Sequence, residues 1–331
     1  MRYIIYGAGA VGGVIGARLL QRGCDVVLIV RGGHLDAIRR EGLTFQSSAE
    51  TLQLPIAVAG HPSELDFNPD DVVILTTKTQ DTAAALDQLR HAGGEKLPIF
   101  CAQNGVENER LALRRFERVY GVLVILPSTH LEPGIVQANA SDKSGILDLG
   151  RYPRGTDDLA RAVADDLNGA DFSVHVREEI MRWKYAKLLG NLGNALQAAC
   201  GLESDTRDIF IRLREEALVC YSAAGVDCAS ADELRGRRDG VLSLGTARGQ
   251  QRQGGSSWQS LARGAGSIES DFLNGEIALL GRRGGVPTPA NSAVQRIAGR
   301  LVRDAKPPGS VTPEDVRAEI RRVEEETALA G

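Results

Sequence analysis

Residues 3–12 read Tyr-Ile-Ile-Tyr-Gly-Ala-Gly-Ala-Val-Gly, so an apolar run breaks directly into the spacing Gly7-x-Gly9-x-x-Gly12. Apolar residues then recur at intervals of three and four, which predicts an amphipathic helix. A second apolar run at 25–30 follows at the distance expected within a strand–helix–strand unit. The start of the chain therefore predicts a strand, a glycine turn, a helix and a second, parallel strand.

Each glycine of this turn has a separate physical task. Gly7 permits the tight turn, Gly9 lets the backbone approach a pyrophosphate, and Gly12 lets helix and strand pack closely. The free N–H groups at the start of the helix, with the positive end of its dipole, would then face the phosphates. The alternative is a glycine-rich turn that only joins two core elements. We predict a dinucleotide-binding turn made of Gly7, Ala8, Gly9, Ala10, Val11 and Gly12.

The residue after the second strand indicates which dinucleotide binds. A site that prefers NAD usually places Asp or Glu there, to accept hydrogen bonds from the ribose 2′-OH. This chain has Arg31 instead. A carboxylate would repel a 2′-phosphate, whereas a guanidinium binds it bidentately. Arg31 therefore favours NADP(H), the alternative being an ordinary solvated arginine.

Bulk properties exclude several classes of protein. A chain of 331 residues suggests about two domains, and its net charge of −4 argues against a nucleic-acid partner. No apolar run approaches the roughly 18 residues of a membrane span. The chain opens on a strand, so no signal or transit peptide is expected. Five scattered cysteines without a C-x-x-C pair predict reduced thiols, no metal site and a cytoplasmic location.

The order of predicted elements indicates an α/β protein with two main domains. Short strands and helices alternate up to about residue 177, which is typical of a Rossmann-type doubly wound sheet. The pattern beyond is helical, with helices expected at 182–197, 209–224, 261–280 and 292–304. We predict a dinucleotide-binding domain over 1–177, an all-helical substrate domain over 178–306 and a helical extension over 307–331. Ligand sites favour domain interfaces, so the nicotinamide should face the helical half.

Three further segments carry local signals. Asn291 follows Pro287-x-Pro289 as a candidate N-cap, and Thr312-Pro313 is typical of an N-cap with proline at the first helical position. The Gly/Gln-rich segment 245–255 is expected to form a mobile loop. The tail helix carries an apolar stripe of Val316, Ile320 and Val323. The sequence leaves open whether this stripe packs on the body of the chain or on a partner subunit, as in a homodimer.

One face of residues 183–198 is unusual for a solvated helix. At 100° per residue it carries two ammonium groups and two amides, those of Lys184, Lys187, Asn191 and Asn194, while leucines occupy another face. Asparagine is a poor helix former, so paired amides beside lysines are less usual on a solvated face. This face is a candidate chemical site, the alternative being a solvated stripe.

Six short motifs occur in order along the chain. They are Gly7-x-Gly9-x-x-Gly12, Thr77-Lys78, Gln103-Asn104-Gly105, Lys187-Leu188-x-x-Asn191, Ser257…Glu269-x-Asp271-Phe272-x-Asn274-Gly275 and Pro287-x-Pro289-x-Asn291. In this order and spacing the chain resembles the ketopantoate reductase (2-dehydropantoate 2-reductase) family. The resemblance extends to about residue 303 and leaves out the tail. It implies that NADPH delivers hydride to the ketone of a small 2-oxo acid, ketopantoate giving pantoate.

The resemblance also implies roles for single residues. A lysine at the position of Lys187 donates a proton to the carbonyl oxygen on which charge develops, and an ammonium suits this step because it stays charged at neutral pH. Glu269 matches the carboxylate that holds the substrate hydroxyl and pairs with this lysine. Asn104 matches the residue that bridges cofactor and substrate, and Lys78 a basic residue near both. The implied substrate-binding set is Asn104, Asn191, Asn194 and Ser257.

Two positions depart from the family pattern. The family's second asparagine falls on Ala195, with Asn194 one step early, and an asparagine three residues before the serine falls on Gly254. Another oxo or hydroxy acid therefore stays open as the substrate. A non-catalytic NADP(H) sensor is an alternative of another class, against which Lys187 and Glu269 argue because a dinucleotide site needs neither. The helix register also leaves open whether Lys184 or Lys187 donates the proton.

Overall fold

A computed structural model of the chain describes residues 1–243, 254–264 and 266–330. Residues 1–184 and the described residues 230–243 form one compact unit, and residues 185–229 with the described residues from 254 onward form another. The first unit holds the strands and the second is helical. The segment expected to be a mobile loop lies outside the described residues, apart from Gly254 and Gly255.

The main sheet of the first unit has eight strands. Their spatial order is β12-β11-β8-β7-β6-β1-β2-β5, and all neighbours are parallel except β11 and β8. The strands are β1 Arg2–Tyr6, β2 Asp25–Ile29, β5 Ala57–Ala59, β6 Asp71–Leu75, β7 Ile99–Cys101, β8 Val119–Ile125, β11 Gly145–Arg151 and β12 Phe172–Ser173. A smaller sheet in the order β4-β3-β10-β9 is formed by β3 Leu43–Gln46, β4 Thr51–Leu54, β9 Ser128–Thr129 and β10 Ile135–Ala138.

Both faces of the main sheet are covered, which explains the continuous apolar strands of the sequence. In β1, Tyr3 and Ile5 enter one buried cluster while Ile4 and Tyr6 enter another. Helices on the two faces include α1 Ala10–Gln21, α2 Gly33–Glu41, α3 Thr79–His91, α4 Asn108–Leu113 and α5 Asp158–Gly169. The fold is the predicted Rossmann-type α/β sheet followed by a helical region.

One expected strand, 52–58, is in fact two strands of different sheets. β4 pairs with β3 in the small sheet, and β5 pairs with β2 in the main sheet. Pro55 lies between them and has no N–H to donate to a continuous ladder.

The chain division differs from the boundary expected at residue 177. It falls at residue 184, inside α6 Ile180–Asn191, and α9 Ala231–Arg238 belongs to the first unit. A buried ion pair attaches α9 to the first unit. The Arg237 guanidinium of α9 donates to both carboxylate oxygens of Asp148 on β11 at 2.6–3.0 Å. Asp148 is fully buried, so it requires such a partner.

The described residues of the second unit form six further α-helices besides the end of α6. They are α7 Gly193–Cys200, α8 Arg207–Ala224, α10 Ser256–Ala262, α11 Asn274–Gly284, α12 Pro289–Arg303 and α13 Pro313–Ala330. The expected helix 182–197 is interrupted at Leu192, where Gly190 and Gly193 lower the helix propensity.

Two helix predictions in this unit are wrong. The expected helix 261–280 ends at Ala262 and resumes at Asn274, because Gly264 and Gly266 have φ of +62° and +67°, which no helix contains. Asn291 is not an N-cap but a buried residue inside α12. The N–H groups of Ala290 and Asn291 donate to the Glu216 carboxylate at 2.8 and 3.0 Å, so a side chain from α8 satisfies the start of α12.

The tail helix α13 packs on the body of the second unit. Its stripe of Val316, Ile320 and Val323 is at most 5% exposed and lies against α12. Thr312 and Asp315 form reciprocal hydrogen bonds at its start, which is the predicted cap.

We predict that Gly12→Ala destabilises the protein while Gly9→Ala does not. A Cβ atom on Gly12 would overlap the Thr76 hydroxyl and lie 2.8 Å from the Gly7 carbonyl oxygen, whereas one on Gly9 meets no atom within 4 Å. Overpacking of this kind costs about 1–3 kcal/mol. The free energy of unfolding in urea measures both variants, and an equal loss in the two would contradict this packing.

Candidate active site

The predicted cofactor residues gather at the carboxyl edge of the main sheet. The glycine turn follows β1, Arg31 follows β2, Lys78 follows β6 and Asn104 follows β7. β1 lies between β2 and β6. The chain after β1 continues to β2 on one side of it and later returns to β6 on the other side, so the strand order reverses at β1. In open α/β sheets, ligands bind outside the carboxyl ends of the strands at such a switch point.

The glycine turn is held close to the end of β6. Gly7 has φ of +101°, and a Cβ atom there would lie 2.8 Å from the Thr77 nitrogen. The Thr76 hydroxyl donates to the carbonyl oxygen of Gly7 at 2.9 Å. Gly9 is different, since nothing lies within 4 Å of its missing side chain. Packing therefore does not explain Gly9, which leaves open space at the N-terminus of α1.

Arg31 is exposed beside the same edge. Its side chain is 83% exposed, and its Nη2 atom lies 3.2 Å from Oδ2 of Asp81 in the first turn of α3. An exposed pair of this kind contributes little to stability. The remaining guanidinium donors stay available to a phosphate.

His34 contacts the glycine turn, and the sequence analysis did not single it out. Its Nδ1 atom accepts from the Gly134 N–H at 2.8 Å, so Nε2 carries the proton and donates to the Ala8 carbonyl oxygen at 2.8 Å. The imidazole thereby joins the glycine turn to the loop before β10. Only the short distance of His34 from Arg31 in the chain could have drawn attention to it.

Buried amides cross-link the turns that carry Lys78 and Asn104. The Gln103 amide donates to the carbonyl oxygen just before Lys78 at 2.8 Å and to the Thr82 hydroxyl at 2.7 Å. The same hydroxyl donates to Asn108 at 2.8 Å, and the Asn108 amide donates to the Asn104 carbonyl oxygen at 3.0 Å. This network holds the backbone that carries the Lys78 and Asn104 side chains.

Lys184 is not part of a solvated or substrate-facing stripe. It is 4% exposed, and its ammonium donates to the Glu109 carboxylate, to the Gln103 carbonyl oxygen at 3.1 Å and to the Cys101 carbonyl oxygen at 3.4 Å. These three acceptors occupy all its donors. Complete burial raises the pKa of Glu109, and the Lys184 ammonium opposes that rise. Of the two lysines left open by the sequence, Lys184 is committed to the protein interior.

Lys187 and Asn191 lie one turn apart on α6 and therefore share a face. Lys187 is partly buried. The Asn191 amide oxygen is buried and has no hydrogen-bond partner among the described residues. An unsatisfied buried acceptor is costly, so it indicates a position where a ligand can donate.

Asn194 and Ser257 stand on two helices that are joined at their ends. Asn194 lies on α7 beyond the interruption, and its amide nitrogen is 3.5 Å from the Ser256 hydroxyl. The Gly255 N–H donates to Gln197 of α7 at 2.7 Å. Ser257, in the first turn of α10, is 2% exposed.

Glu269 begins a short 3-10 turn, Glu269–Phe272, and is 4% exposed. The buried Asn274 amide donates to the Leu192 carbonyl oxygen at 3.1 Å and to Asn291 at 3.2 Å. Asn274 thus ties the residue after Asn191 to the segment that begins at Glu269. The Asn274 and Asn291 motif positions have a scaffold role that their spacing did not reveal.

Gly254 explains one departure from the family pattern. It has φ of +59°, and a Cβ atom there would lie 2.5 Å from the Trp258 ring. An asparagine does not fit beside this tryptophan.

The described residues contain neither a membrane-spanning helix nor a metal-binding cluster. None of the helices there is both long and apolar enough to cross a bilayer. No cluster of three or more His, Cys, Asp and Glu side chains in the described ranges could hold a metal ion.

Two family models match this chain. "Ketopantoate reductase PanE/ApbA" matches residues 3–154, and "Ketopantoate reductase PanE/ApbA C terminal" matches residues 179–301. Together they span most of the chain, including every motif that carried the resemblance.

Known proteins agree with these models. A 2-dehydropantoate 2-reductase from Pyrococcus horikoshii is 29% identical over 297 residues, covering 88% of this chain and 94% of that protein. The crystal structure of a PanE/ApbA family ketopantoate reductase from Ralstonia eutropha is 28% identical, with a TM-score of 0.76, over 92% of this chain and 99% of that one. A D-mandelate dehydrogenase solved with NADH and anilino(oxo)acetate has the same fold, with a TM-score of 0.79 at 20% identity over 92% of this chain and 99% of that one. This chain is an oxidoreductase that belongs to the ketopantoate reductase family.

Proposed function

We propose that this chain is an NADPH-dependent reductase of a small 2-oxo acid, with ketopantoate as the leading substrate and pantoate as the product. The observation that carries the proposal is the face shared by Lys187 and Asn191 on α6. It places an ammonium one turn from a buried amide oxygen that no described residue satisfies. A hydroxylated oxo acid supplies both an acceptor for the ammonium and a donor for the amide oxygen.

The carboxyl edge of the main sheet fits a dinucleotide. Gly9 leaves open space in front of the N-terminus of α1, and Ala8 is held by His34. The dinucleotide, when bound, supplies the hydride. Arg31 would pair with the 2′-phosphate, and Lys78 and Asn104 would contact the cofactor from the ends of β6 and β7. We infer NADP(H) from the charge of Arg31, because a 2′-phosphate is the group that an exposed guanidinium there would recognise.

The proposed reduction needs a proton donor for the carbonyl oxygen and polar side chains that bind the substrate hydroxyl and carboxylate. Lys187 would polarise the ketone and donate a proton to its oxygen. The single O–H of the substrate hydroxyl would donate to the Asn191 amide oxygen, and Glu269 would pair with the Lys187 ammonium. Ser257 would bind the substrate carboxylate, with Asn194 and Asn104 completing the polar contacts. Assembly as a homodimer and a cytoplasmic location stay predictions from the sequence.

A different 2-oxo acid is the second candidate. The observation that favours it is the contact between Gly254 and Trp258, which leaves no room for the family's asparagine. The non-catalytic sensor has no such observation in its favour.

A substrate panel tests the proposal. NADPH oxidation would be followed at 340 nm with ketopantoate, 2-oxoisovalerate, pyruvate and phenylglyoxylate. We expect the highest kcat/KM with ketopantoate. A preference for an acid without a hydroxyl would favour the second candidate, and no turnover with any acid would contradict the reductase proposal.

We expect Lys187→Ala to lower kcat by about 10²- to 10⁴-fold with little change in the Kd for NADPH, since a general acid is lost but no cofactor contact. Lys306→Ala is the matched control, because Lys306 is an exposed lysine of the same unit. Steady-state kinetics and fluorescence titration measure the two parameters. Near-normal turnover of Lys187→Ala would remove this residue from the proton-donating role.

We expect Arg31→Glu to lower the NADPH/NADH ratio of kcat/KM by about 10-fold or more, because a charge-assisted hydrogen bond is replaced by repulsion. Arg40→Glu makes the same charge change at an exposed position of α2 and should leave the ratio unaltered. If both variants keep the wild-type ratio, Arg31 does not bind the 2′-phosphate.

A further inference from the structure

We propose that Lys184 and Glu109 are a buried positioning pair, which holds the turn after β7 so that the Asn104 side chain meets its ligand in a fixed orientation. The role of Asn104 itself rests on the proposed function. The hydrogen bonds that restrict the Asn104 backbone do not depend on a ligand, and their effect can be measured without any substrate.

The ammonium of Lys184 contacts the turn directly. It donates to the carbonyl oxygens of Cys101 and Gln103 at 3.4 and 3.1 Å, two residues apart at the end of β7. The Gln103 carbonyl lies in the same planar peptide group as the Asn104 nitrogen. Fixing this carbonyl therefore fixes the plane from which Asn104 departs.

The peptide group on the other side of Asn104 is held as well. The Asn108 amide donates to the Asn104 carbonyl oxygen at 3.0 Å. With both flanking peptide planes bonded, rotation of the Asn104 backbone is restricted in both directions. Asn104 itself is only partly buried, so its side chain lies on a rigid backbone beside an accessible edge.

Stability alone does not account for this pair. Glu109 is fully buried and Lys184 is 4% exposed, and burying two charges costs about as much as their attraction returns. The second carboxylate oxygen of Glu109 also has no hydrogen-bond partner among the described residues. Apolar residues of similar size would serve the core at least as well, but they could not hold a carbonyl oxygen.

The pairing with Glu109 gives Lys184 a structural role in place of the role of proton donor. Lys184 lies in the first half of α6, and Glu109 lies 75 positions earlier, just beyond the turn that follows β7. The hydrogen bond between them therefore joins α6 to the segment after this turn. Because α6 also carries Lys187, a loss of activity alone would not identify Asn104 as the affected residue. The test must therefore include Asn104.

The test compares three variants of the whole chain with the wild-type protein. Lys184→Met/Glu109→Met removes both charges together, which avoids leaving one of them buried without a partner. The same pair of changes is made with Asn104→Ala, and Asn104→Ala is made alone. Arg2→Met/Asp71→Asn is the matched control, since this ion pair joins the first residues of β1 and β6, at the opposite edge of the same sheet.

We expect Lys184→Met/Glu109→Met to keep a cooperative thermal transition and to lose about 10- to 100-fold in kcat, the cost of a slightly misplaced contact. In the Asn104→Ala background the same two changes should cost less than 2-fold, because the residue they position is gone. Hydrogen–deuterium exchange of the amides in 102–108 should rise several-fold. The Arg2→Met/Asp71→Asn control should leave exchange in this segment unaltered.

Two results would overturn the inference. One is unchanged exchange over 102–108 in a folded Lys184→Met/Glu109→Met protein. The other is an equal loss of kcat with and without Asn104. If the wild-type protein turns over no 2-oxo acid, the proposed function fails, and hydrogen exchange still decides whether the pair holds the turn.

Discussion

The close approach of α1 to the end of β6 is the constraint on which the cofactor edge depends. Gly12 leaves no room for a side chain against Thr76, and the Thr76 hydroxyl is bonded to the Gly7 carbonyl oxygen. Helix α1 therefore begins at the strand ends, and Gly9 at its N-cap supplies no side-chain cap for its first N–H groups. Every other residue proposed to contact the dinucleotide follows a neighbouring strand at this edge.

Buried polar groups turn this edge into a defined surface. Gln103, Thr82 and Asn108 bond to one another and to the backbone beside Lys78 and Asn104. Such networks bring little net stability, because each bond replaces one to water. They do restrict the backbone, because a hydrogen-bonded peptide plane cannot rotate without leaving a buried group unsatisfied. These bonds restrict the backbone that carries Lys78 and Asn104.

The helical unit uses amides in the same way. Asn274 and Asn291 are buried, and their amides donate to the carbonyl oxygens of Leu192, between α6 and α7, and of Leu213 in α8. Asn191, one residue before Leu192, keeps an unused acceptor. The amide oxygen of Asn274 also has no partner among the described residues, so it is the bonded amide nitrogens of Asn274 and Asn291 that set these two residues apart as scaffold. The Gly254–Trp258 contact shows that the rim of this unit also departs locally from the family pattern.

The sequence by itself determined the features that depend on neighbours along the chain. Strand and helix periodicity, the glycine turn and the Thr312–Asp315 cap each involve residues a few positions apart, so their physics is local. Family motifs added the identity of the candidate site residues, but not their surroundings.

Tertiary structure decided what depends on distant partners. Lys184 and Lys187 share one predicted helix stripe, and only a carboxylate 75 positions away makes Lys184 an interior residue. Asn291 gave an N-cap signal, yet Glu216 of another helix took over that task. The two halves of 52–58 pair with different sheets. In each case the deciding partner is supplied by long-range packing, which no local pattern of residue types contains.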